Sequence, residues 1–330
     1  MTTPQSTAAM PPMMYGTAWK KERTADLVYE AIKAGFRGID TAAMKKHYDE
    51  ALTGEGIRRA INEGIVSRRD LFIQTKFTPL DPSSPYSLSS PIPTQIHDSV
   101  ASSLANLSPP PAAQDNPDEA PSSYLDALLL HSPFPTPAAT LLALQTLQLY
   151  LPGSPDPSRA GKILRLGISN VPLSHLLALY PPPPPSDPSP QQDPRAPPIS
   201  IIQNRFYSAS APVPWDGDVR AWCAERDGAP VAYQGFWTLT GNTGVWRRAW
   251  FVRELAGAAG LSPAAAWYVL ARAAAGVVVL NGTGDRGHMR EDLAAWETVE
   301  RWRAEEQGGG REAEEVWERC LAGMKDLVGG

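Results

Sequence analysis

Eight times along this chain a short apolar run gives way to a stretch with helical spacing. The strands read MMYGTAW, FRGIDTA, LFIQTKF, YLDALLLH, ILRLGISN, ISIIQNRF, PVAYQGF and VVVLNG. Between and after them lie segments of helical periodicity, from TADLVYEAIKAG behind the first strand to MREDLAAWETVERWRAE behind the last. Two such segments, AWFVRELAGAAG and PAAAWYVLARAAAG, follow the seventh. Thr24 suits the N-cap of the first helix and Gly35 its C-terminal stop. DALLLH, ILRLGIS and VVVL are apolar on both faces, as parallel strands covered on both sides must be. Eight such units predict an α/β fold, a (β/α)8 TIM barrel, with residues 1–330 forming a single domain. A doubly wound open sheet is the alternative, disfavoured because no GxGxxG follows the first strand.

Proline interrupts this grammar. The 34 prolines are about twice the usual share of roughly 5%. They concentrate in 79–95, 108–123, 152–158 and 180–198. Such segments cannot bury a core, so 79–95, 108–123 and 180–198 read as flexible insertions into the barrel. The 79–95 segment leaves the C-terminal end of the third strand and is expected over the active face as a lid. The others precede strands and belong to the opposite face.

Composition narrows the partners. A formal net charge of −5 lacks the basic stripe that a nucleic-acid binder needs. No apolar run of about 18 residues marks a membrane span. The N-terminus lacks the basic start and apolar stretch of a secretory signal. Cys223 and Cys320 have no metal-ligand spacing and form no disulfide framework. A reducing, cytoplasmic compartment follows. The five histidines include no HxH pair, and no metal site is expected.

The residues at the strand ends carry chemistry. Asp40 ends the second strand, Lys76 the third, His131 the fourth, Ser169 and Asn170 the fifth, Gln203 the sixth and Tyr233 the seventh. A barrel brings those tips to one rim, where active sites are built. Each has a plainer reading alone: Asp40 as a turn cap, Lys76 as a loop lysine, His131 as a structural histidine, Ser169-Asn170 as a turn, Tyr233 as a core aromatic. Six in succession at one rim favour function.

GTAW, GFRGIDTA, HYDEALTGEGIRRAI, LFIQTKF, YLDALLLHSP, GKILRLGISN, IIQNRFY, YQGFWTLTGN and NGTGDRGHMREDL, in that order, resemble the signature blocks of the aldo-keto reductase family, here in a form carrying proline-rich insertions. The resemblance runs from about Gly16 to Leu293. It implies NADP(H) at the C-terminal mouth and reduction of a small-molecule carbonyl, aldehyde or ketone, by a monomer. It puts the catalytic tetrad on Asp40, Tyr48, Lys76 and His131. Tyr48 would be the proton donor, Lys76 the group that lowers its pKa, Asp40 the partner that keeps Lys76 charged, and His131 the residue that orients the carbonyl. In most of the family the tyrosine lies five positions after the aspartate, where this chain has Lys45; here the interval is eight, so AMKKH reads as a three-residue insertion. His47 then falls beside the tyrosine and is expected to face solvent.

The resemblance also assigns the cofactor contacts. Gly16 and Thr17 belong to the first block. Ser169, Asn170 and Gln203 would hold the nicotinamide carboxamide, and Tyr233 would stack on its ring. At the adenosine end Gly282, Thr283 and His288 stand where many members have lysine, serine and arginine, and Asp292 closes the stretch. Arg286 and Arg290 are candidates to supply the missing charge. NADPH is the expected cofactor, with NADH the alternative. Trp19, Phe77 and Trp237 follow strand tips and are expected to line the substrate pocket. The chain ends at DLVGG without the tail that closes the pocket in many members, which predicts an open site of broad tolerance. A nicotinamide-binding regulatory or sensor subunit with little turnover is the rival function; the four tetrad residues argue for chemistry.

Overall fold

The structure, a computed structural model, describes residues 9–109, 123–181, 197–210, 212–225, 231–305 and 310–329. Strands β1 (Met13–Gly16), β2 (Gly38–Asp40), β3 (Phe72–Phe77), β4 (Ala127–Leu130), β5 (Leu166–Ser169), β6 (Ile201–Arg205), β7 (Ala232–Phe236) and β8 (Val278–Asn281) close into a barrel in sequence order. Every neighbouring pair is parallel, including β1 with β8. The intervening helices are α1 (Thr24–Ala34), α2 (Glu50–Asn62), α3 (Ile92–Leu107), α4 (Pro137–Gln148), α5 (Leu173–Leu179) and α6 (Gly217–Ala224). After β7 come α7 (Thr243–Trp246), α8 (Trp250–Ala259) and α9 (Pro263–Ala275), and after β8 come α10 (Arg286–Glu305) and α11 (Gly310–Val328). The expected (β/α)8 architecture is the observed one.

Strand alternation sorts the side chains. Outward residues such as Ile39, Ile73, Leu128, Ile168 and Ile202 join the helices in one large apolar core. Inward residues at the N-terminal end, Met14, Phe72, Ala127, Leu129 and Ile201, form a second, smaller cluster that plugs the barrel floor. Gly167 is small because it must be: a Cβ there would stand 2.5 Å from the carbonyl oxygen of Ile201. Gly35 ends α1 at φ 120°, a conformation that side chains with a Cβ avoid.

The proline segment after β3 is not a loop throughout. Residues 92–95 already belong to α3, whose first turn takes Pro93 at no cost because its N–H would be unpaired anyway. The rest of 79–95 forms compact turns. The Tyr86 hydroxyl donates to the Thr78 carbonyl at 2.6 Å, and its ring stacks on Phe77 at 5.2 Å. Residues 110–122 and 182–196, most of the other two expected insertions, lie outside the described residues. No described helix is long and apolar enough to cross a membrane.

At the N-terminal end of the strands a buried ion pair ties β3 to β4. Arg68 Nη2 donates to Asp126 Oδ2 at 2.8 Å, and the same oxygen accepts the Ile73 amide at 2.9 Å. Both side chains are under 10% exposed. Removing one partner strands a buried charge, so Asp126→Ala should cost about 3–5 kcal/mol in urea unfolding. A cost below about 1 kcal/mol would place the pair among dispensable surface contacts.

Candidate active site

At the C-terminal rim the barrel opens into a cavity of about 1030 Å³. Its floor holds a buried ion pair. Asp40 at the end of β2 is 2% exposed and Lys76 in β3 is 1% exposed. Lys76 Nζ donates to Asp40 Oδ1 at 2.7 Å, to Oδ2 at 2.6 Å and to the Thr41 carbonyl at 2.9 Å, so all three ammonium protons are used. Asp40 Oδ1 also accepts from Gln74 Nε2 at 2.7 Å and from Gln203 Nε2 at 3.0 Å. Burial pushes the lysine pKa down, and the Asp40 carboxylate works against that shift.

Tyr48 and His131 stand above this pair. Their rings meet edge to face with centroids 5.8 Å apart, and Lys76 Nζ lies 5.4 Å from the Tyr48 ring centroid. Asp40, Tyr48 and His131 line the cavity, while Lys76 lies beneath its surface. The predicted electrostatic effect on the phenol differs from the structure. No hydrogen bond joins Tyr48 to Lys76, whose protons are spent elsewhere. Burial first, and then the Asp40 charge, push the Tyr48 pKa up rather than down. The phenol is therefore firmly protonated. His131 Nδ1 lies 2.8 Å from Thr78 Oγ1. Burial, Lys76 and His47 push its pKa down to about 3, so the imidazole is neutral.

Beside them, Ser169 Oγ donates to the Gln203 carbonyl at 2.6 Å. Asn170, at φ 52°, sends its amide to the His131 carbonyl at 2.9 Å. Asn is one of the few residues that adopts this left-handed backbone readily. Gly16, Ser169, Asn170 and Gln203 all line the cavity. Thr17 does not; its hydroxyl turns to the Asp40 carbonyl at 3.1 Å and is buried.

Tyr233 lies on the wrong side of β7 for the role expected of it. The strand runs on to Phe236, so Tyr233 is its second residue and not its tip. Its hydroxyl donates outward to Asp216 at 3.0 Å, at the start of α6. The inward positions are Gln234 and, at the rim, Phe236, which lines the cavity. Counting alternate residues back from the strand end would have found it. Phe77 is similarly turned outward, stacked between Tyr86 and Phe134. Trp19 and Trp237 do line the mouth, 65% and 49% exposed, both with positive φ. His47 lines it too. Its ring lies 3.8 Å from that of Trp19, and its Nδ1 is buried without a partner, contrary to the expectation that it faces solvent. No residue of 79–95 reaches the cavity.

The far end of the cavity is formed by Gly282, Thr283, His288 and Asp292. The Tyr15 hydroxyl donates to the Thr283 carbonyl at 2.9 Å, and Asn281 Nδ2 donates to Asp292 Oδ2 at 2.7 Å. Burial raises the Asp292 pKa to about 6. Arg286 pairs instead with Glu30 at 2.9 Å, and neither it nor Arg290 lines the cavity. The cations that do are Lys20, Arg205 and Arg247. Lys20 reaches across to donate to the Gly282 carbonyl, its pKa pushed down by burial and by Arg23. Its place beside Trp19 in GTAWKK was the available signal.

The Aldo/keto reductase family model matches residues 12–210. The NAD(P)H-dependent D-xylose reductase of Pachysolen tannophilus is 52% identical over 58 residues, 18% of either chain. The NAD(P)H-dependent pentose reductase of Pyricularia oryzae is 52% identical over 69 residues, 20% of either chain. The matched segments thus span about a fifth of these relatives' length. Solved folds agree over nearly the whole chain. A Bombyx mori aldo-keto reductase in complex with NADP superposes with a TM-score of 0.62 at 17% identity, covering 99% of this chain and 92% of that one. An aldo/keto reductase from Brucella melitensis gives 0.60 at 16%, covering 99% and 98%. With the matched model extending over more than half of the sequence and the barrel closed as its strands predict, the chain belongs to the aldo/keto reductase family.

Proposed function

We propose that this protein is an NADPH-dependent reductase of small carbonyl compounds, with Tyr48 as proton donor. One observation carries the reading: a phenol, an imidazole and a buried lysine–carboxylate pair converge at one cavity at the C-terminal end of the barrel. The cavity's donor set fits a dinucleotide. Ser169, Asn170 and Gln203 offer amide and hydroxyl groups, Phe236 and Trp237 offer flat apolar faces, and Lys20, Arg205 and Arg247 offer charge for phosphates. When bound, NADPH supplies the hydride.

The chain's own residues do the rest. The neutral His131 holds Nδ1 against Thr78, leaving its other ring nitrogen for the substrate oxygen. If the Thr78 hydroxyl donates, that nitrogen carries the proton and can orient the carbonyl. Tyr48 gives its proton to that oxygen as negative charge builds there. A lowered phenol pKa is not required for this step, because an alkoxide is more basic than a phenolate. The raised value keeps the donor loaded, and the Lys76–Asp40 pair fixes the charge beneath it. Trp19, Trp237 and His47 bound the substrate end of the cavity. The names of the relatives make pentoses the first sugars to try, beside aromatic aldehydes and quinones. The reading takes the protein as a cytoplasmic monomer; a chain with two cysteines and no disulfide framework suits a reducing compartment.

Three measurements test this. Tyr48→Phe should lower kcat by about 10²–10⁴-fold with NADPH affinity unchanged, as loss of a general acid does; full activity in the variant would remove Tyr48 from the chemistry. Because His131 stays neutral down to about 3, kcat/KM should be flat on its acid side, with no protonation step near the ordinary histidine value of about 6.5. An acid limb there that vanishes in His131→Gln would contradict the neutral imidazole. The Michaelis constant for NADPH should be below that for NADH; a tenfold preference the other way, about 1.4 kcal/mol, would reverse the cofactor assignment.

A further inference from the structure

Beside and beneath the ion pair three glutamines form a layer, and its hydrogen bonds leave little freedom. Gln234 Oε1 accepts from Gln74 Nε2 at 2.8 Å and from Gln203 Nε2 at 2.8 Å. The second proton of each of those amides goes to Asp40 Oδ1. Gln234 Nε2 returns a bond to Gln74 Oε1 at 2.9 Å and approaches the Met14 sulfur at 3.4 Å. Gln74 and Gln234 are fully buried, and Gln203 is 3% exposed. An amide offers two donors and one carbonyl acceptor. Both protons of Gln203 are spent on Asp40 and Gln234, and among the described residues no donor reaches its Oε1. Turning that amide over would put three oxygens face to face.

We propose that Gln234 is a positioning residue for the cavity. It holds the Gln203 amide so that the carbonyl oxygen is the group left for the ligand, and it anchors two of the amides that hold Asp40 against Lys76. It lines no part of the cavity itself. The layer therefore selects a ligand with an N–H donor at this point, and the carboxamide of a nicotinamide ring has one. The inference rests on the proposed cofactor chemistry but adds a recognition element that the tetrad does not contain.

The test compares the affinities of NADP+ and of its 3-acetylpyridine analogue, which replaces the carboxamide NH₂ with a methyl group. Wild type should prefer NADP+. Gln234→Met, close in shape but without the acceptor, should weaken NADP+ about three- to tenfold and the analogue hardly at all, as expected for one neutral hydrogen bond. The discrimination between the two ligands would then collapse. Gln234→Glu supplies a second measurement that does not depend on the methionine variant folding. Its carboxyl keeps an oxygen acceptor for the Gln203 amide in either ionisation state, so the discrimination lost in Gln234→Met should persist here. Wild-type protein that binds neither ligand would sink the cofactor reading itself. Wild-type binding with equal losses for both ligands in Gln234→Met, no loss at all, or collapsed discrimination in a folded Gln234→Glu would sink the role of Gln234 alone.

Discussion

The contact between the Lys76 ammonium and the Asp40 carboxylate sets the terms for the whole upper half of the barrel. Moving two charges out of water costs several kcal/mol each, and their attraction repays this only when the remaining protons and lone pairs are satisfied. Here they are: Thr41 takes the third ammonium proton, and two amides crowd onto Asp40 Oδ1. The donors come from far apart in sequence. Lys76 and Gln74 sit on β3, Asp40 ends β2 and Gln203 belongs to β6. Asp40 and Lys76 meet across the paired strands β2 and β3, and closure of the sheet brings Gln203 from β6 onto the same carboxylate.

That requirement explains the layering inside the barrel. At the floor, Met14, Phe72, Ala127, Leu129 and Ile201 are apolar and exclude water. Above them Gln74 and Gln234, polar but uncharged, can meet both hydrocarbon and charge. Above those lie Asp40 and Lys76, and then Tyr48, His131 and Phe236 at the rim. Polarity rises toward the open end, where solvent and ligand can share the cost of charge. Even at the rim, burial disfavours charged forms, which keeps Tyr48 protonated and His131 neutral.

The strands were readable because their pattern is local: apolar runs separated by helical periods leave few alternatives. Asp40, His131 and Ser169 were readable for the same reason, each at or just past a strand end, whereas Lys76 and Gln203 lie short of their strand ends and share only the inward parity. Tyr233 and Phe77 were misjudged because a strand's face depends on parity, and a boundary misplaced by one residue reverses it. In β7 the apolar run does not stop at Tyr233, and the inward set is Gln234 and Phe236. The role of Lys76 toward the phenol was misjudged on different grounds. Both oxygens of Asp40 and the neighbouring Thr41 carbonyl consume its protons, and no spacing rule announces that. The glutamine layer was invisible for a related reason, since each glutamine alone resembles an ordinary polar residue within a strand.

The eight-residue interval between Asp40 and Tyr48 poses the remaining question of how a lengthened loop returns its phenol to the rim. The answer lies on the far side of the tyrosine. Asp49 caps α2, its carboxylate accepting the Leu52 amide at 2.9 Å. Tyr48 is therefore fixed relative to the helix it precedes, not to the strand it follows. Upstream, the backbone amides of His47 and Tyr48 both fold back on the Met44 carbonyl, and the Trp19 amide clasps the His47 carbonyl at 2.8 Å. Extra residues are absorbed in that turn before the anchored segment begins. One consequence follows directly: His47 and Trp19 are brought together at the mouth by the same turn that takes up the added length. The turn thus leaves Tyr48 where the helix holds it and shapes the wall of the cavity mouth.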